Sequence, residues 1–154
     1  MNKDKTSSFV IVIVFLALAT FFLAYNGTYK KIQEEDIKYV ALNETKIKVD
    51  LATTEAEQVK GLSGRESLNE KEGMLFIFDR PGKHYFWMKD MNFPIDMIWI
   101  DEDLEIIYIK KDAKPDDFLQ TFGPDEDTKY VLEVVAGFSD KNNFKEGDSV
   151  RFAY

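Results

Sequence analysis

Hydrophobic and polar positions divide the chain into three stretches of different character. Residues 9–24, FVIVIVFLALATFFLA, are apolar throughout except for Thr20 and carry no charge. Runs of about 18 or more apolar residues span bilayers, whereas signal-peptide cores take about 7–15. The stretch 8–25 sits at that boundary. The small pair Ala17 and Ala19 lies inside the run with FFLA still to follow, a poor place for a signal peptidase. Residues 1–25 are therefore read as a signal anchor, or as a signal peptide if cleavage occurs. Residues 26–38 are polar and highly charged and read as a tether. Residues 39–154 form the remaining domain.

Within that domain the dominant period is two. KYVAL and TKIKVDLA begin it, and Ile47, Val49 and Leu51 alternate with polar residues as on a half-buried strand. Thr54 followed by Glu57 matches a capping box and Gly61 a helix terminator, which predicts one short helix over 54–60. MLFIF and HYFWMK flank the Pro-Gly of DRPGK and are expected to pair as a hairpin. IDMIWI and LEIIYIK flank the acidic turn DED as a second hairpin. Residues 112–129 read as a loop, and YVLEVVAG and DSVRFAY supply the last strands. The expected fold is mainly β, an antiparallel sandwich or barrel of seven or eight short strands with one short helix and a preceding transmembrane helix.

Charge narrows the partners. The 154 residues carry 20 basic and 28 acidic side chains, and without residues 1–25, which hold Lys3, Lys5 and Asp4, the balance is −9. An acidic domain argues against nucleic acid and against anionic headgroups. The short amino-terminal flank with Lys3 and Lys5 favours a single-pass protein of the cell membrane with its domain outside the cytoplasm, or a secreted or periplasmic one if the signal is cleaved. The absence of cysteine excludes a lipidated-cysteine anchor and disulfides, so the domain relies on packing.

Chemistry-bearing residues concentrate in KHYFWMKDMNFPIDMIWID, residues 83–101, which hold Trp87, Trp99, the single histidine His84, and Met88, Met91 and Met97. No motif for a cofactor stands out. A calcium loop counted from Asp101 fails, with Ile106 at the sixth position and Asp112 at the twelfth. A copper(I) site from His84, Met88 and Met91 is the alternative reading, since thioether and imidazole suit that ion. On one strand, however, His84 and Met88 would lie roughly 13 Å apart. A hydrolase using His84 with Ser63 or Ser67 ranks third, because no nucleophile elbow is present. Asp96 and Glu133 are acids inside apolar strand sequence, and a buried carboxylate calls for a partner such as a guanidinium. Arg65 is the first candidate and Lys89 the second. Such an internal ion pair competes with a polar cleft in which Arg65, Trp87, Lys89, Asp96 and Glu133 bind a small ligand such as an anion or a sugar.

The run GLSGRESLNEKEGMLFIFDRPGKHYFWMKDMNFPIDMIWID, with YVLEVVAG and EGDSVRF further on, resembles the domain of unknown function 192 family over residues 49–152. The matching positions are Gly61, Leu62 and Arg65; Gly73, Met74 and Phe76; Phe86, Trp87 and Met88; Pro94 and Asp96; and Leu132, Glu133 and Gly137. Ser63 departs from the family's usual methionine, and Asp90–Met91 from its usual Asn-Thr. The resemblance implies an all-β, barrel-like fold, often exported or membrane-anchored, with no assigned activity. Together these features favour a membrane-anchored binding or accessory module over an enzyme, its partner a small molecule or a protein.

Overall fold

The computed structural model describes Glu34 and residues 36–154, so the apolar run and most of the tether fall outside the described residues. Among the described residues no helix is long and apolar enough to cross a membrane. The sheet lies within the compact unit Ile37–Tyr154.

Seven strands form one sheet: β1 (Tyr39–Leu42), β2 (Thr45–Ala52), β3 (Glu72–Gly82), β4 (Ile95–Ile100), β5 (Ile106–Ala113), β6 (Thr128–Val135) and β7 (Val150–Ala153), in the order β5-β4-β6-β3-β2-β1-β7. The sheet curls into a half-barrel. Its two edge strands meet at one end, where Ile106 N donates to Asp148 O at 2.9 Å and Val150 N to Leu104 O at 2.7 Å. Among the described residues two helices accompany it rather than the one expected, α1 (Glu55–Lys60) and α2 (Phe138–Lys141), with a 3-10 turn at Pro115–Asp117.

The sheet is not wholly antiparallel, as the local pattern led us to expect. β2 and β3 run parallel, Val49 beside Gly73 and Leu51 beside Leu75. Parallel neighbours need a long crossover, and residues 53–71, which carry α1, provide it. The hairpin expected between MLFIF and HYFWMK does not form. β3 continues through Arg80 and Pro81 to Gly82, pairing with β6 across a register shift between Ile77 and Gly82. Such an irregularity tolerates a residue without an N–H. HYFWMK is instead a covering segment, joined to the rest of the backbone by an isolated bridge from Phe86 to Phe122. The β4–β5 hairpin forms as expected: Asp101 Oδ1 accepts from Glu105 N at 2.8 Å, and Leu104 takes φ 65°.

Alternation along the central strands separates two apolar clusters. One draws on every strand through residues such as Val40, Ile47, Leu75, Ile98, Ile106, Leu132 and Val150. The other holds Phe76, Met97, Trp99 and Val131 beneath Leu62 and Met88. Both faces of β4 and β6 are thus covered, which explains why all six residues of IDMIWI are buried. Gly73 is required where β3 meets β6, because a Cβ there would sit 2.7 Å from the Glu133 carbonyl oxygen.

Candidate functional site

On the second face, α1 and the covering segment 83–94 flank a half-open cavity of about 190 Å³. The helix that walls it forms for the reason its sequence gives. Thr54 Oγ1 accepts from Glu57 N at 3.3 Å, and Glu57 Oε2 accepts from Thr54 N at 2.9 Å, closing the capping box. No residue of α1 is buried, and Gln58 fastens it to the sheet by donating from Nε2 to Ile77 O at 2.9 Å. The covering segment is pinned by aromatic packing: Phe86 meets Phe76 edge-on at 4.8 Å and Trp99 at 5.8 Å. Trp99 Nε1 donates to His84 O at 2.7 Å. Three further bonds stitch residues 63–65 to residues 89–92, with Ser63 Oγ donating to Lys89 O, Gly64 N to Asp90 O and Asn92 Nδ2 to Arg65 O.

Glu133 lies in the wall of this cavity with Phe76, Phe86, Trp87 and Met91. It is 4% exposed, and its Oε2 is buried with no hydrogen-bond partner. Burial disfavours the charged form and pushes its pKa up to about 8, opposed by the positive charge of Arg65. At neutral pH Glu133 is therefore mostly a neutral carboxylic acid, with one O–H to donate and lone pairs to accept. An orphaned buried polar group costs about 1–3 kcal/mol. Gly61 shapes the same wall: at φ 47° its Cβ would stand 3.2 Å from Phe76 Cζ and 3.9 Å from Glu133 Oε2.

The residues singled out in the sequence separate around this feature. Trp87, 49% exposed, shares the cavity with Glu133. Arg65 does not line it. Its Nη2 pairs with Asp50 Oδ2 at 2.8 Å in an adjoining depression, with both side chains partly exposed. Lys89 is exposed and contributes only its carbonyl. Asp96 cannot meet Glu133, because Asp96 stands beside Val134 and Glu133 beside Met97, on opposite faces of the same strand pair. Asp96 is wholly buried and accepts three backbone N–H bonds, from Asp112 at 3.0 Å, Gly137 at 3.2 Å and Ser139 at 2.9 Å. It needs no guanidinium.

For the copper alternative, Met91 lines the cavity, Met88 is 1% exposed in the apolar cluster and His84 stacks on Phe78 at 3.5 Å. Burial lowers the His84 pKa, against hydrogen bonding to the backbone of Arg80 and Thr128 and the charge of Asp127. Among the described residues no cluster of three or more His, Asp or Glu side chains is placed to hold a metal ion. Sequence reasoning missed Gln58, Phe76 and Phe86 as walls and Asp50 as the partner of Arg65. The alternation of Met74, Phe76 and Phe78 along β3 was the available signal for the walls, whereas nothing local linked Asp50 to Arg65.

The family model DUF192, described as "Uncharacterized ACR", matches residues 37–152. The chain is similar to a protein of unknown function from Novosphingobium aromaticivorans, with 32% identity and a TM-score of 0.71 over 75% of this chain and 84% of that one. It is also similar to a Sinorhizobium meliloti protein provisionally described as a transcription regulator, with 29% identity and a TM-score of 0.70 over 74% of this chain and 92% of that one. No curated protein matches.

Proposed function

The chain belongs to the DUF192 family, and from that premise we propose that residues 37–154 are a small-ligand-binding module, anchored to the membrane by residues 9–24 and facing away from the cytoplasm. One observation carries the ligand-binding reading: a buried carboxyl with an unpartnered oxygen in the wall of an aromatic cavity. Small-molecule sites combine apolar and aromatic walls with a few polar groups that fix orientation. Glu133 supplies the polar group, Phe76 and Phe86 the walls, and Trp87 a half-exposed ring at the mouth. The cleft first read as binding an anion through Arg65 and Lys89 narrows to this cavity, which neither cation lines. A transcriptional role like that suggested for the Sinorhizobium protein draws no support from a net charge of −8.

The test is a titration of the protein with phenol, benzyl alcohol and the common monosaccharides, read by tryptophan fluorescence and by thermal upshift. At least one compound should give a saturable change that Trp87→Phe abolishes. If these compounds and a one-ring amine such as benzylamine all leave both fluorescence and melting temperature unmoved, the cavity is a packing defect and the reading falls.

A further inference from the structure

We infer that the ligand class of this cavity is a small organic ammonium with an apolar body, its nitrogen held by the Glu133 carboxylate and its body by the rings of Phe76, Phe86 and Trp87. This deepens the ligand-binding reading and rests on it.

Three observations favour a cation over a neutral guest. First, Glu133 Oε2 is buried without a donor, while the nearest guanidinium considered as its partner, Arg65, is taken by Asp50 at 2.8 Å. Among the described residues no cation pairs with Glu133, so once ionised its carboxylate would take its counter-ion from a ligand. A neutral hydroxyl would repair one hydrogen bond, but a charge-assisted bond to an ammonium is roughly twice as strong. Second, the walls are aromatic, and ring faces attract desolvated ammonium groups. Third, the protein is acidic, with 28 acidic against 20 basic side chains, so its field concentrates cations. The cavity of about 190 Å³ is on the scale of a one-ring molecule.

The proton balance follows from the state of the free site. With its pKa raised to about 8 by burial, Glu133 is protonated in the free protein at pH 7. Binding an ammonium ionises it: the O–H proton leaves to solvent, and an N–H of the ligand donates to the carboxylate oxygen. The other charges facing the site are Glu55 and Lys60 on α1, which oppose each other at the rim, and Arg65, held by Asp50. Affinity for an amine therefore rises with pH as Glu133 ionises, until the amine itself deprotonates.

Benzylamine and benzyl alcohol, alike in ring and size, separate the possibilities when titrated calorimetrically into the full chain in detergent, in two buffers of different ionisation heat. The expected result at pH 7 is benzylamine binding at least about tenfold tighter than the alcohol, with close to one proton released per amine bound. Glu133→Gln should abolish that preference and the proton release while leaving the alcohol within about threefold. Trp87→Ala, at an exposed position that folding does not depend on, should weaken both compounds. Equal or tighter binding of the alcohol, or amine binding without proton release, overturns the ammonium inference and leaves the cavity as a neutral-ligand site. If neither compound binds and the phenol and sugar titrations are also silent, the ligand-binding reading falls with it.

Discussion

Asp96 and Glu133 occupy neighbouring rows of the β4–β6 pair, both buried, and the protein treats them in opposite ways. On the Asp96 face, the register shift in β5 leaves the N–H of Asp112 off the ladder, and the turn into α2 presents those of Gly137 and Ser139; all three point at one carboxylate. On the Glu133 face the surroundings are rings and methyl groups, and one oxygen is left without a donor. A buried acid is thus either a strut that satisfies backbone donors or a group held ready for something outside the chain. What decides between them is whether loose N–H groups converge, not how apolar the strand is.

The strut should be the more costly to remove. Asp96→Ala would leave three backbone donors without a partner at about 1–3 kcal/mol each, so a loss of roughly 5 kcal/mol is expected, enough to unfold many domains of this size. Asp96→Asn, which keeps an acceptor, should cost less than half as much. Urea denaturation of the two variants checks this. Equal losses would mean that the site needs charge rather than acceptor geometry.

Glu133 should dominate the pH dependence instead. Its folded pKa, about 8, lies above the ordinary glutamate value of 4.5. The folded state therefore holds the proton more tightly than the unfolded one. The associated stability is complete below the unfolded pKa, declines as pH rises, and is lost once pH passes through about 8. Between pH 5 and 7.5 the expected decline is roughly 3 kcal/mol, at 1.36 kcal/mol per pH unit. Glu133→Gln should flatten that slope, whereas variants at Asp96 should leave it in place. Denaturation midpoints taken across the range decide it.

A smaller effect comes from the backbone that positions Glu133. Gly73→Ala would bring a Cβ to 2.7 Å from the Glu133 carbonyl oxygen and force β3 away from β6. A loss of about 2 kcal/mol is expected, within the usual range for overpacking. Chemical denaturation measures it, and a neutral result would show that the strand pair yields at this point.

Much of the sheet was legible because its signals are local. Period-two alternation located β1 and β2, the strand-length runs YVLEVVAG and DSVRFAY located β6 and β7, the acidic turn placed the β4–β5 hairpin, and Thr54 with Glu57 placed α1. The failures share a cause. Aromatic residues in HYFWMK suit a strand and a covering segment equally, and only the Phe86–Phe122 bridge and the Trp99–His84 bond decide between them. The parallel pairing of β2 with β3 depends on a crossover rather than on either strand's composition. At the site, embedding in apolar sequence correctly marked Asp96 and Glu133 as buried. Their divergence was hidden, because the donors that satisfy Asp96 come from residues 16, 41 and 43 positions away.

The smallest expected effect on stability is the most direct probe of how the two faces differ electrically. Arg65 pairs with Asp50 at a partly exposed position, and exposed pairs contribute about 0–1 kcal/mol, so Arg65→Ala should scarcely change stability at pH 5. Yet Arg65 is the one charge found to oppose the upward shift of Glu133. Its removal should move the Glu133 titration to still higher pH, delaying the point at which alkaline loss of stability levels off. The shift should be measurable by following the Glu133 side-chain carboxyl by NMR across a pH series, with Asp50→Asn as the counterpart that leaves the guanidinium uncompensated and moves the titration down. If both variants left that titration where it is, Arg65 would act only on the surface. The Glu133 titration would then be set by burial alone, as isolated from Arg65 as Asp96 is from any need of it.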